Sequence, residues 1–179
     1  MLLIIGLGNI GKKYERTRHN AGFLALDFIH HVYQFDSWTE EKNLSGYTAK
    51  GTIGTQKVIL FKPTTLMNNS GQAVAKIIHY YKLTLNDILV IHDDMDIAPG
   101  KIKYALSSRA AGNNGVQSII DSLRTQDFKR IRIGIGKPGD VLGYCEPFHN
   151  YVLENFTPSE EEVLQKLFQT TFETPTFIQ

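Results

Sequence analysis

Short apolar runs alternate along the chain with segments whose apolar residues are three and four positions apart. Residues 2–5 and 88–91 are wholly apolar, which predicts strands, the second of them central and covered on both faces. Alternating polarity predicts another strand over residues 130–136. Further strand pairings are predicted as a hairpin of residues 46–53 and 56–62, and around residues 101–106.

Helical spacing occurs in four segments between or after these strands. Asn20 is expected to cap the first helix, and the second is expected to begin near Ser70. The third follows the polar stretch at residues 107–115, and the fourth begins at Thr157 with a capping box and a proline at its first position. Residues 141–150 lack periodicity and are predicted to form a loop.

The order of these elements predicts an α/β fold, with residues 1–179 as a single domain and a twisted mixed β-sheet flanked by helices. A length of 179 residues and a hydrophobic content of 42% agree with one core. No run approaches the ~18 apolar residues of a membrane span, and the N-terminus lacks a signal-peptide layout, so we expect a cytoplasmic protein without membrane contact. The one cysteine, Cys145, excludes an internal disulfide and is interpreted as an inert thiol.

Charge is unevenly distributed, although the net charge is only +1. Residues 151–179 contain one base and five acids, whereas residues 1–150 contain 18 bases and 13 acids. The bases bunch in three groups: Lys12, Lys13, Arg16 and Arg18; Lys101 and Lys103; and Lys129, Arg130, Arg132 and Lys137. Such groups can bind phosphates, but charge runs are also common on solvated surfaces, so this pattern alone leaves nucleic-acid binding open.

Residues 6–11 read G-x-G-x-x-G, the pattern of a dinucleotide-binding turn. That turn needs a preceding strand, a helix that opens on the last glycine, and an acid at the end of a second strand. Only the strand is predicted, because residues 12–18 have no helical repeat and Asp27 falls within the first helix. The sequence therefore disfavours dinucleotide binding.

Three polar loops follow strands or precede helices and can converge at one edge of the sheet. They are residues 9–20, residues 67–70, and Asp93 with Asn113 and Asn114. A histidine held by a carboxylate can take a proton from water near neutral pH, and asparagine amides can stabilise an oxyanion. This combination suits metal-free ester hydrolysis, although the same residues also serve as helix caps and turn residues in many proteins.

Five segments resemble, in order and spacing, the motifs of bacterial peptidyl-tRNA hydrolases. They are residues 6–22, 62–71, 92–96, 112–115 and 130–139, and residues 151–156 are similar to the segment before that family's last helix. Any one match could arise by chance, but five in register cover essentially the whole chain. The sequence is therefore identified as a member of this family.

The resemblance implies an enzyme that cleaves the ester between a peptide and the 3′ ribose of tRNA, usually a monomer with no cofactor or metal. By motif position, His19 would activate water, and Asp93 would keep His19 basic. Asn9 would help to distinguish blocked from free aminoacyl-tRNA, while Asn68 and Asn114 would hold the peptide backbone and the attacked carbonyl. Further positions that match substrate or tRNA contacts are Tyr14, Leu66, Met67, Gly112, Arg132 and Lys103.

The chain also departs from the family pattern. The departures are Ile10 for a proline, Leu66 for a phenylalanine, Ala105 for a lysine, Ala111 for a glycine and Asn113 for a histidine. The last two are expected to affect substrate gating and not the base. Because of Ala105, phosphate contact around Arg132 is expected to come from Lys103 or Arg109.

Two rival functions come from other classes. A metal-dependent phosphoesterase could use His92, Asp93, Asp94 and Asp96 as ligands. Adjacent residues on a strand point to opposite faces, however, and Asp93 and Asp94 are adjacent. The other rival is an RNA-binding module that shares the fold and has lost catalysis, against which the intact set of candidate site residues argues.

Overall fold

The computed structural model describes residues 1–138 and 148–178. Within these ranges, seven strands form one sheet in the order β2-β3-β4-β1-β5-β7-β6. The strands are β1 Leu2–Gly6, β2 Thr39–Glu41, β3 Gly46–Ile53, β4 Gln56–Pro63, β5 Ile88–Asp94, β6 Ile102–Ala105 and β7 Lys129–Gly134. The four central strands β4, β1, β5 and β7 are parallel, while β2, β3 and β6 run antiparallel to their neighbours. The predicted mixed sheet is confirmed.

Helices cover both faces of this sheet. The helices are α1 Ala21–Val32, α2 Ser70–Tyr81, α3 Asn114–Leu123, α4 Phe148–Leu153 and α5 Pro158–Phe172. Alternate residues of β1 serve the two sides, because Leu2 and Ile4 pack with α1 and α5, whereas Leu3 and Ile5 pack with α2 and α3. Side chains on both faces of these strands are buried, which explains the uninterrupted apolar runs at residues 2–5 and 88–91.

Several local predictions are confirmed and two are wrong. Both bonds of the capping box at Thr157 are present, and β6 pairs with β7 as expected from the pattern at residues 101–106. The predicted loop is wrong at residues 148–150, which belong to α4; its remainder and Cys145 lie outside the described residues. Asn20 precedes α1, but its side chain makes no cap bond and pairs with Asn9 instead. In the described ranges, no helix is long and apolar enough to cross a membrane.

The start of α1 approaches the sheet more closely than any side chain would permit. A Cβ atom at Gly22 would overlap the carbonyl oxygen of Ile91 in β5 and the backbone of Leu7, and a Cβ at Gly6 would overlap the carbonyl oxygen of Gly22. The last glycine of the G-x-G-x-x-G pattern, Gly11, opens only a short 3₁₀ turn. At least Gly6 therefore serves helix packing, and the helix required of a dinucleotide site is missing at Gly11.

Candidate active site

His19 and Asp93 meet at the carboxyl edge of the parallel strands. Asp93 lies near the end of β5, and His19 lies in the 3₁₀ turn Arg18–Asn20 that leads into α1. His19 Nδ1 is 2.9 Å from Asp93 Oδ2, with only 11% of the histidine side chain and 3% of the aspartate side chain exposed. The structure therefore brings together the predicted base and the predicted carboxylate.

This pairing sets both the tautomer and the basicity of the imidazole. Burial is the largest influence and lowers the pKa of His19, but the charge of Asp93 and its hydrogen bond together outweigh burial, so the pKa is raised above its ordinary value. A proton on Nδ1 that points at a carboxylate leaves Nε2 as the basic nitrogen. His19 is thus equipped to accept a proton through Nε2.

Asn113 holds the other oxygen of the same carboxylate. Its Nδ2 donates to Asp93 Oδ1 at 2.8 Å and to the Asp93 carbonyl at 3.2 Å, while its Oδ1 accepts the N–H of Val116 and caps α3. One amide group therefore fixes both a helix start and the orientation of Asp93. The sequence placed Asn113 among the polar residues that can converge with Asp93, but it did not predict this bond, because nothing local in the chain indicates a contact across 20 residues.

Asn9 is fixed by a second network of amides. Its backbone N–H donates to Asn20 Oδ1 at 2.8 Å, and Asn20 Nδ2 donates back to the Asn9 carbonyl at 3.0 Å. Asn9 Oδ1 accepts the N–H of Met67 at 2.9 Å, which identifies the other side-chain atom as the NH₂ group. Within the described chain that Nδ2 makes no hydrogen bond, so it is available as a donor.

A cavity of about 160 Å³ opens beside the histidine. Its lining includes His19, Asp93, Gly112, Asn113, Asn114 and Val152. The side-chain amides of Asn114 and Asn68 belong to exposed residues and make no hydrogen bonds among the residues the structure describes. Asn114 therefore reaches the histidine cavity, and Asn68 stands one residue after the Met67 that bonds Asn9.

The other predicted substrate positions lie around this centre and not in the cavity. Met67 is buried and packs against Gly115 at the start of α3. Leu66, next to it, is 56% exposed. Tyr14 is half-buried and carries the ammonium of Lys13 over its ring at 4.6 Å.

The acidic C-terminal segment pairs with part of the first basic group. Arg18 is 4% exposed and donates to both carboxylate oxygens of Glu160 at 3.1 and 3.0 Å, and to Glu154 at 3.2 Å. Its guanidinium also lies over the ring of Tyr151, 4.1 Å from the centroid, and Arg16 forms a bidentate pair with Glu161. Arg18 therefore holds α4 and α5 against the turn that carries His19 and is committed to the fold, whereas the pair of Arg16 and Glu161 lies at the surface.

A second set of bases lies on β7 and its neighbour β6. Arg132 pairs in register with Lys103, is partly buried, and donates through Nε to Asp94 Oδ2 at 2.7 Å. Lys103 is exposed. Arg130 is 1% exposed and donates to the carbonyls of Ser108 and Arg109, so it fixes the loop before α3. Arg132 and Lys103 thus remain as bases near the catalytic edge, while Arg130 is structural.

The residues of the rival metal site have separate partners. Asp93 is engaged by His19 and Asn113, Asp94 by Arg132, and Asp96 by Lys137 at 2.8 Å. His92 is fully buried, and its Nδ1 donates to the Asp93 carbonyl; burial lowers its pKa to about 4 despite the nearby carboxylates. Among the described residues, no three His, Cys, Asp or Glu side chains converge as metal ligands.

A base and amide donors around a common cavity suit the attack of water on a carbonyl, so the fold and the site define a hydrolytic α/β enzyme. A family model described as peptidyl-tRNA hydrolase matches residues 3–178. The chain therefore belongs to the peptidyl-tRNA hydrolase family, as its five motifs predict.

Individual relatives are similar over nearly the full chain. The peptidyl-tRNA hydrolases of Mycoplasma capricolum and Listeria monocytogenes are 47% and 42% identical to it, over 97% and 90% of this chain and 90% and 83% of theirs. The crystal structure of peptidyl-tRNA hydrolase from Acinetobacter baumannii superposes with a TM-score of 0.90 at 31% identity, covering 99% of this chain and 88% of that one.

The contact between His19 and Asp93 predicts a measurable change in imidazole basicity. In Asp93→Asn the histidine stays buried but loses the opposing charge, so its pKa should fall from above to below the ordinary value. NMR titration of the His19 imidazole in both proteins measures this directly. A His19 titration that Asp93→Asn leaves unchanged would contradict the pairing.

Proposed function

We propose that the protein hydrolyses the ester between a peptide and the 3′ ribose of tRNA, with His19 as the base that activates water. Hydrolysis of peptidyl-tRNA follows from the family to which the chain belongs. The assignment of His19 rests chiefly on its 2.9 Å contact with Asp93 beside an open cavity. We include in the proposal a cytoplasmic, monomeric enzyme built as one domain.

The side chains of the site can supply each proton transfer and hydrogen bond that the reaction needs. His19 Nε2 removes a proton from water as the water oxygen attacks the ester carbonyl, and Asp93 stabilises the resulting imidazolium. The side-chain amide of Asn114 donates hydrogen bonds to the tetrahedral oxyanion, and the side-chain amide of Asn68 binds the peptide backbone. The intermediate then expels the ribose 3′ oxygen, which takes the proton from His19, leaving a free peptide acid and tRNA.

Asn9 is proposed to read the blocked amino group of the substrate. Its free Nδ2 is a donor, and it suits the carbonyl oxygen of a peptide or acyl group. A free aminoacyl-tRNA has no such carbonyl and carries an α-amino group with a pKa of about 7.7–8.0, whose positive charge would be desolvated in the site. The enzyme should therefore spare it.

The tRNA body is proposed to lie on the side of the site where β7 ends and β6 begins. Support comes from Arg132 and Lys103, which are neighbours across these strands. Arg132 bonds Asp94 through Nε, which leaves the two terminal nitrogens of its guanidinium group for phosphate. Because Arg16 and Arg18 are paired with glutamates, they are left out of this surface.

The first test compares N-acetyl-aminoacyl-tRNA with the same unblocked aminoacyl-tRNA. We expect release of tRNA from the blocked substrate only, because of the donor on Asn9. His19→Ala should lower the rate at least about 100-fold, which excludes a contaminating hydrolase. Equal cleavage of the two substrates would refute the role of Asn9, and no cleavage of either would favour the RNA-binding module.

Asn113 is proposed as a positioning residue that acts through Asp93, and a double-mutant cycle tests this. Asn113→Ser keeps an oxygen to cap α3 but loses the donor to Asp93 Oδ1, so kcat/KM should fall about tenfold. In an Asp93→Asn background the same change should have little further effect. A purely structural role would instead give the same factor in both backgrounds.

Salt dependence tests the tRNA-binding surface. Lys103→Gln removes an exposed charge, and Arg132→Gln removes one while keeping a donor for Asp94, so each should reduce the slope of log K against log[salt] by about 0.9. Titration of each protein with deacylated tRNA at several salt concentrations measures the slope. The control is Lys57→Gln, at the far end of β4, which should leave the slope unchanged. Equal slopes in all variants would place the tRNA elsewhere.

A further inference from the structure

A buried histidine lies on β5 directly before the candidate catalytic carboxylate. Ile88, Val90 and His92 lie on one face of the strand, and the first two pack in the core beneath α2 and α3. His92 is 0% exposed, and its Nε2 makes no hydrogen bond within the described chain. A buried nitrogen without a partner lowers stability, so an apolar residue would suit this face better unless the other ring nitrogen makes a necessary contact.

That other nitrogen, Nδ1, contacts the backbone carbonyl of Asp93 at 2.7 Å. A carbonyl oxygen only accepts, so Nδ1 carries the proton of this hydrogen bond. Burial lowers the pKa of His92 to about 4, and the nearby Asp93 carboxylate opposes that change without cancelling it. The ring is therefore neutral at ordinary pH, and its single proton is on Nδ1.

The Asp93 carbonyl needs a donor because β1 ends before it. Leu7 N–H, just after β1, donates to the Ile91 carbonyl at 2.9 Å. Alternate carbonyls of a strand point to the same side, so the Asp93 carbonyl points to the side where β1 has already ended. The Asp94 carbonyl points the other way and accepts the N–H of Ile135 at 3.1 Å. Side chains must therefore supply the donors for the Asp93 carbonyl.

Two side chains share this carbonyl. His92 Nδ1 donates to it at 2.7 Å, and Asn113 Nδ2 donates to it at 3.2 Å. The same Asn113 nitrogen also donates to Asp93 Oδ1 at 2.8 Å, while Asp93 Oδ2 contacts His19. Because His92 makes the shorter bond to the carbonyl, Asn113 can keep its own shorter bond to the carboxylate. The two residues thus fix the backbone and the carboxylate of Asp93 together.

We propose that His92 is a positioning residue that fixes the backbone of Asp93 through Nδ1 and thereby holds the carboxylate against His19. Its effect on turnover rests on the proposed function, whereas its effect on the pair of His19 and Asp93 does not. His92 is fully buried and does not line the cavity of about 160 Å³ beside His19. It should therefore influence kcat and leave KM unchanged.

Two amide variants separate the roles of the two ring nitrogens. The amide nitrogen of His92→Asn is as far from the backbone as Nδ1, whereas that of His92→Gln reaches the position of Nε2. With the donor kept, His92→Asn should retain the raised pKa of His19 and a kcat within about threefold of the unchanged enzyme. His92→Gln should lower the pKa of His19 and reduce kcat about tenfold with KM unchanged. NMR titration of the His19 imidazole and turnover of N-acetyl-aminoacyl-tRNA measure the two effects.

Val90→Ala is the matched control for loss of core packing. It removes two methyl groups from the same face, two residues before His92, and should lower the melting temperature. The His19 titration and kcat should not change, because the Val90 side chain has no donor for the Asp93 carbonyl. His92→Leu, which also lacks a donor, should behave as His92→Gln does and decides the comparison if the glutamine variant does not fold.

The inference is wrong if His92→Asn, His92→Gln and His92→Leu all keep the His19 pKa and the kcat of the unchanged enzyme. It is also wrong if His92→Asn or Val90→Ala shifts the His19 titration as much as His92→Gln does, since the donor at Nδ1 would then not be the cause. No cleavage of N-acetyl-aminoacyl-tRNA by the unchanged enzyme would refute the proposed function, and the His19 titrations would still test the role of His92.

Discussion

The contact on which the site depends is between backbones: α1 begins directly on the ends of β1 and β5. Gly22 lies against Ile91 and Leu7 with no room for a methyl group, and Leu7 N–H donates to the Ile91 carbonyl at 2.9 Å. Close-packed protein interiors have low compressibility, so this backbone contact fixes the distance between the sheet and the turn that precedes α1. His19 and Asp93 meet because this close packing fixes the position of α1 against the sheet.

Arg18 secures the same turn from its other side. A buried guanidinium is costly unless its donors are satisfied, and here Glu160, Glu154 and the Tyr151 carbonyl accept them. The uneven charge along the chain therefore has a structural origin in part, since acids near the C-terminus neutralise bases near the N-terminus. Planar, bidentate bonding to Glu160 and stacking on Tyr151 explain why the residue is arginine and not lysine.

Local patterns in the sequence predicted most helices and strands and the family, whereas contacts between distant segments could be identified only from the structure. The capping box at Thr157 and the apolar run of β5 are local signals and are confirmed. The three-residue β2 is largely exposed and carries no such signal. Motif position identified His19 and Asp93 as partners, but the bonds of Asn113 to Asp93 depend on how α3 docks and are not encoded locally.

The hairpin turn between β3 and β4 lies at the end of the sheet opposite to the candidate site. Gly54 has φ +59 there, and a Cβ would meet nothing within 4 Å. Since β4 is parallel to β1, its first residues are at the amino edge and all the candidate catalytic groups are at the carboxyl edge. A surface linker or fluorescent label attached at this turn would leave the carboxyl edge with the candidate site turned outward, so the turn is the natural point at which to immobilise the enzyme.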